Sequence, residues 1–275
     1  MRDLVGLLVL FALAMGALLL VIAIPTHRQP DSRVLIVLLT ATMALPVLVR
    51  AHQTGLSWTR VFGAAFETRD LPLTTAVVPV ALLTMASVFL IYAPLSYVAP
   101  DFVRRQVLDD SVFDASTVGQ WLLLAFGGAV LAPIVEEVVF RGIILQRWAY
   151  RWGTRTGAIA SSMLFALGHG EWFGHFLFGM LMSLLYLRTR RLWVPIVAHG
   201  INNFVLMLPI LWRVAAHLPP EPPETLTTLR DQAWLGAPMC AAGLLLGWLY
   251  LRQLWAAGSV GAALAGPVPY EAREG

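Results

Sequence analysis

Runs of about twenty apolar residues recur along this chain, and that feature decides most of what it can fold into. A run of that length crosses the hydrocarbon core of a bilayer as a helix, and a soluble domain has nowhere to hide so many. Hydrophobic residues make up 58% of the chain and charged residues 13%, far below the roughly one-quarter charged content of a soluble domain. Eight spans are expected, at about 4–24, 33–49, 73–98, 118–146, 156–170, 173–188, 191–213 and 232–255. The fold class is therefore all-α: a polytopic membrane protein of about eight transmembrane helices.

The apolar run Leu4–Ile24 is longer than a signal-peptide core, and Ile24-Pro25-Thr26 lacks a small-residue cleavage site. It reads as a retained first helix. Pro79 and Pro94 predict a kinked third span, and spans five and six are short, joined by Gly170–Gly174. Three regions follow: N-terminal helices with an interfacial helix over 1–117, a core over 118–213, and an outer loop, last helix and tail over 214–275. In the segment 57–69, Trp58, Val61, Phe62, Ala65 and Phe66 share one helical face, as in a helix lying in the membrane interface or an ordinary amphipathic loop helix. Gly243 and Gly247 form a GxxxG in the last span, a packing motif within one chain more often than a dimer contact. The oligomeric state is not legible.

One cysteine, Cys240, excludes an intrachain disulfide and a CxxC metal site. All nineteen basic residues are arginine, which points to a GC-rich bacterial genome. They sit in short loops between apolar runs, the distribution of a membrane protein and not of a nucleic-acid binder. With the N-terminus inside, twelve arginines fall on the inner side and six on the outer, Arg141 left aside. The positive-inside rule then places both termini in the cytoplasm of a bacterial cell, with the chain in the inner membrane.

Ionisable groups within spanning helices cost roughly 2.5–3.5 kcal/mol each on insertion scales and are functional candidates by default. Here they cluster in three spans. The fourth holds Glu136, Glu137 and Arg141, the fifth Phe165 and His169, the seventh His199, Asn202 and Asn203. Adjacent residues lie about 100° apart on a helix, so the two glutamates face different ways. Glu137 pairs with Arg141 at i,i+4, a structural arrangement, which leaves Glu136 free to face a cavity. His199 and Asn203 share a face for the same reason. Depth agrees: at about 1.5 Å per residue, Glu136 and His169 lie equally far from the turn near Gly153, and Glu136 and His199 lie roughly 16 and 12 Å in from the arginine-rich side.

A carboxylate beside an imidazole, both partly desolvated, activates water. A second imidazole with a carboxamide supplies donors to an oxyanion. Each residue alone has a plain structural reading, as a helix-packing hydrogen-bond partner, and Phe165 reads as packing against the site. The constellation is more specific than its members. Glu136, His169 and His199 also make a three-ligand set for zinc with a place for water. No HExxH is present, and Asn203 suits an amide donor better than a zinc ligand, so a metal-free site without a cofactor is the favoured expectation.

These residues resemble the motifs of the CAAX prenyl protease 2 or CPBP family, which includes lysostaphin-resistance-protein-A-like and bacteriocin-immunity proteins. EExxxR stands at Glu136–Arg141, followed by Gly142; FxxxH at Phe165–His169; HxxxN at His199–Asn203. The three occur in family order, and the match covers about 118–210. The resemblance implies an all-helical membrane endopeptidase in which Glu136 and His169 activate the attacking water while His199 and Asn203 stabilise the oxyanion. It implies a membrane protein or peptide as substrate. Cleavage after a prenylated cysteine is not carried over, because protein prenylation is not expected in a bacterium. The rival classes are a non-catalytic immunity or scaffold protein and a solute transporter. No inverted repeat supports the transporter. Glu171 and His175, on the connection between spans five and six, read as an exposed polar turn in preference to a gate on the site.

Overall fold

In the computed structural model, residue 49 and residues 58–108, 115–218 and 225–256 are described. The expected spans at 4–24 and 33–49 lie almost wholly outside them. All the regular structure of the described residues is helical, with no strand among them. In chain order they form α1 (Trp58–Phe62), α2 (Thr68–Leu95), α3 (Pro100–Val103), α4 (Val118–Trp152), α5 (Thr154–Leu167), α6 (Trp172–Thr189), α7 (Trp193–Ala215), α8 (Leu226–Asp231) and α9 (Gly236–Ala256). Four helical stretches are long and apolar enough to cross a membrane: Thr68–Leu95, Val118–Trp152, Trp193–Ala215 and Ala233–Arg252. They correspond to expected spans three, four, seven and eight.

Spans five and six take a different form. With 14 residues α5 is about 21 Å long, and with 18 residues α6 is about 27 Å, both short of the roughly 30 Å hydrocarbon core. They make an antiparallel hairpin packed against α4. Its two helices approach closely where Gly179 meets Ser162, and the Ser162 and Ser183 hydroxyls lie 3.3 Å apart in the interior. The 35-residue α4 is about 52 Å long and overshoots the bilayer core; the chain then turns back at Gly153, whose φ of 84° suits glycine. Two π-helical stretches, Phe126–Leu131 and Val138–Leu145, flank the paired glutamates on α4. Such widened turns frequently occur at functional sites.

Three helix seams of the core set α4, the hairpin and α7 against one another. Val138, Tyr186, Leu192 and Ile196 join α4, α6 and α7, and Val61 enters the same cluster from α1. Phe165, Phe178, Met182, Val194 and Ala198 join the hairpin to α7. Trp121, Ala129 and Met207 join α4 to the far half of α7, where the Trp121 indole donates to the Met207 carbonyl at 3.0 Å. The GxxxG glycines pack within the chain: a Cβ on Gly243 would stand 2.9 Å from Leu83 Cγ and 3.0 Å from the Pro79 carbonyl of α2.

The segment read as either an interfacial helix or an ordinary loop helix runs as a strap along the protein. Within it Trp58–Phe62 is helical, and helix resumes only at Thr68. Val61 is fully buried, Phe62 and Phe66 are half-buried, and Ala65 is exposed. Leu192 N–H donates to the Phe62 carbonyl at 3.0 Å, and Tyr186 Oη donates to the Val61 carbonyl at 3.3 Å. Arg191 reaches the Ala65 carbonyl and pairs with the buried Asp70. An apolar face at helical spacing thus finds its partner on the protein. Gly63 takes the left-handed turn (φ 64°) that brings the strap against the Arg190 carbonyl.

Candidate active site

On α4 the i,i+4 geometry holds as read: Arg141 Nη1 lies 3.1 Å from Glu137 Oε1, and both side chains are shut away from solvent. Arg141 also donates to the Gly179 carbonyl at 2.9 Å, which ties α4 to α6, and its guanidinium sits 4.7 Å from the centre of the Phe165 ring. Glu137 does more than pair with arginine. Its Oε1 also lies 2.9 Å from His199 Nδ1, so one buried carboxylate oxygen holds a cation on its own helix and an imidazole on α7.

Glu136 faces the other way, as 100° of helical rotation requires. Its Oε2 is buried without a hydrogen-bond partner. It lies 4.0 Å from His169 Nε2 and 4.0 Å from His199 Nε2. The structure therefore brings Glu136, His169 and His199 together from α4, the hairpin tip and α7.

The tautomers follow from the partners. His169 Nδ1 is 2.8 Å from the Phe165 carbonyl, which only accepts, so Nδ1 carries the proton. His199 Nδ1 faces an acceptor carboxylate oxygen, with the same consequence. In their neutral forms both imidazoles then turn an Nε2 lone pair toward Glu136. Three acceptors converging on one point call for something to stand between them: a proton, a water or a cation. A water placed between atoms 4.0 Å apart makes hydrogen bonds of ordinary length.

The donor set has the chemistry of a catalytic zinc site, and imidazoles that donate Nδ1–H to an oxygen are the usual outer support of metal-bound histidine. The spacing is wider than a metal asks. Ligands about 2.0–2.1 Å from a tetrahedral zinc stand roughly 3.3 Å from one another. Among the described residues no group of three or more His, Cys, Asp or Glu is drawn to metal-holding distance.

Asn203 sits one turn along α7 from His199. Its Nδ2 donates to the Gly128 carbonyl at 2.8 Å, and its Oδ1 accepts from Asn202 Nδ2 at 3.2 Å. The amide is thus fixed, with its second N–H left over. Phe165 packs against these residues: it is buried, 4.4 Å from the His169 ring, 6.2 Å from the His199 ring and beneath Arg141.

Two residues read as an exposed turn belong to this neighbourhood. Glu171 is buried and caps α6, accepting from Gly174 N–H at 2.7 Å, with Ser87 Oγ 2.8 Å from its other oxygen. His175 stacks on His169, with ring centroids 4.3 Å apart and planes 19° apart. Glutamate is not among the favoured N-cap residues, so local sequence gave little notice of the cap. The stack joins residues on either side of a tight turn and leaves no periodic trace.

The fold and the site define a polytopic, all-helical membrane protein that gathers a carboxylate and two imidazoles between its spans. Residues 118–205 match the family model described as Type II CAAX prenyl endopeptidase Rce1-like. It is similar to the protein named "Putative membrane peptidase YdiL" of Bacillus subtilis (33% identical, covering 31% of this chain and 37% of that one). An uncharacterized 24.3 kDa protein of Escherichia coli is 32% identical over 41% of this chain and 52% of its own length. Membrane-embedded CAAX protease MroQ of Staphylococcus aureus is 29% identical over 49% and 59%. The chain thus spans between 37% and 59% of the length of these relatives. No solved structure matches it.

Proposed function

We propose that this protein is an intramembrane endopeptidase of a bacterial inner membrane, hydrolysing peptide bonds of a membrane-associated protein or peptide. The observation that carries the reading is the orphaned Glu136 Oε2, 4.0 Å from each of two Nε2 atoms. A water held there gives a proton to Glu136 or His169, and its oxygen attacks the scissile carbonyl carbon. The carbonyl π electrons move onto oxygen. That oxyanion is met by the spare N–H of Asn203 and by His199. To donate from Nε2 while Nδ1–H stays on Glu137, His199 must hold both protons; Glu137, shared with Arg141, is the hydrogen-bond acceptor that orients it, and the net positive charge of the trio faces the oxyanion. Collapse of the intermediate breaks the C–N bond, and the proton first taken from water goes to the leaving amine.

Glu136→Gln keeps the shape and removes the base. Membrane peptides compared between cells carrying wild-type protein and Glu136→Gln should differ in one or a few species whose cleavage needs the glutamate. Identical peptide sets with equally abundant folded protein would refute the reading and favour a non-catalytic immunity or scaffold role.

A zinc-dependent version of the same peptidase is the second reading, favoured by the Nδ1–H support on both imidazoles. Glu136, His169 and His199 would hold the ion, which would polarise the bound water. The wide spacing weighs toward the metal-free form. Elemental analysis of active protein decides between them: the metal-free form predicts substoichiometric zinc and activity that survives chelation.

A further inference from the structure

We propose that His175, held by Glu171, is a positioning residue that fixes the His169 ring against Glu136; this rests on the reading of His169 as part of the water-activating pair. His169 lies beyond the end of α5, in the turn before α6, so no continuing helix holds its backbone. Its bond to the Phe165 carbonyl sets which nitrogen carries the proton. That bond alone leaves the ring free to swing about it, and the side chain is 29% exposed. The stacked ring of His175 supplies a second ring contact from a direction distinct from that of Phe165, since the Phe165 and His175 centroids are 6.4 Å apart and each is within 4.4 Å of His169.

His175 is itself set from below. Its Nδ1 donates to the Glu171 carbonyl one turn back, and Nδ1 lies 3.7 Å from Glu171 Oε2. Glu171 is pinned at both oxygens, by Gly174 N–H and by Ser87 of α2. A side chain at 174 is barred, because a Cβ would run into Thr84 and the Glu171 carboxylate. The Tyr92 hydroxyl accepts the Trp172 N–H at 3.0 Å. The tip of the hairpin is therefore a block anchored to α2, and the stack transmits that anchorage to His169. Helix capping accounts for Glu171 but asks for no imidazole at 175.

The test uses full-length protein in detergent with 15N-labelled histidine, His169 being assigned by its loss in His169→Gln. In wild type the His169 ring should show the Nδ1–H tautomer in one environment. His175→Ala should shift or broaden those signals, and His175→Phe, which stacks but cannot titrate, should restore them. On the peptide found to depend on Glu136, His175→Ala should lower kcat about ten- to a hundredfold with KM little changed, as for loss of alignment by an ångström or so, and His175→Phe should recover most of the loss. Unchanged His169 signals in His175→Ala, or no recovery in His175→Phe, would overturn the proposal. Should His175→Ala fail to fold, His175→Leu fills the volume without stacking and must give the same defect. If no peptide depends on Glu136, the peptidase reading falls while the resonances still report on the positioning.

Discussion

Glu137 shows what burial makes of a charge. The carboxylate, Arg141 and His199 form one interior unit in which Oε1 is shared and Oε2 is left over. Taking charges out of water is expensive, and a buried pair returns that cost only while both members are present; removing one typically destabilises by about 3–5 kcal/mol. Arg141→Met should therefore lower stability by about that amount, read by thermal unfolding in detergent. The double variant Glu137→Leu/Arg141→Met removes both charges and should recover most of the stability. It should remain inactive, because His199 then has no acceptor for Nδ1–H. A double variant with near wild-type turnover would reduce the trio to structural filler. The i,i+4 spacing on α4 made the Glu137–Arg141 pair readable in the sequence, and the 100° step separated Glu136 from it. The His199 bond was not readable, because it depends on the register between α4 and α7, which no spacing within either helix encodes.

At the scale of elements, apolar length served well for α2, α4, α7 and α9 and less well for the hairpin. Counting apolar residues made α5 and α6 into spans; at 14 and 18 residues they form a short hairpin whose tip brings His169 beside Glu136. Equal chain distances from Gly153 already implied that level, since helical chain covers most of both arms. The stripe in the strap left two readings level, an interfacial helix and an ordinary loop helix, for a physical reason: an amphipathic stripe states that one face is buried, and not whether lipid or protein buries it. Asp70 is the point where the strap can be tested. It is buried, accepts from Glu67 N–H at 2.8 Å and pairs with Arg191 of the α6–α7 turn. Asp70→Ala leaves two donors without their acceptor and should cost about 1–3 kcal/mol. Glu67, half-exposed and 3.7 Å from Arg191, should cost under about 1 kcal/mol on change to Ala. Equal melting shifts for the two variants would mean that the strap is not held at Asp70.

For the molecule as a whole, hydrogen bonds between distant segments sort the described chain into two ends. Leu192 to Phe62, Arg191 to Asp70 and Tyr250 to Leu73 tie one end together. Arg230 to Ser96 ties the other. The first end gathers Arg69, Arg147, Arg151, Arg155, Arg188, Arg190, Arg191 and Arg252, and the second Arg104, Arg105, Arg213 and Arg230. Arginine is held on the cytoplasmic side during insertion, so the first end should be cytoplasmic. Access to the site should come from that end as well. On the other side the hairpin tip is met by the segment after α3, where Gly170 abuts the Gln106 carbonyl and Phe102 lies edge-on to Trp172. Single cysteines in a Cys240→Ser background give the check, since Cys240 is the one native thiol. A membrane-impermeant maleimide added to intact spheroplasts should label Ser116→Cys and Thr227→Cys. It should spare Thr68→Cys and Thr156→Cys until the membrane is opened, and all four positions are exposed on the protein surface. The opposite pattern would turn the molecule over and place the mouth of the site on the outer face.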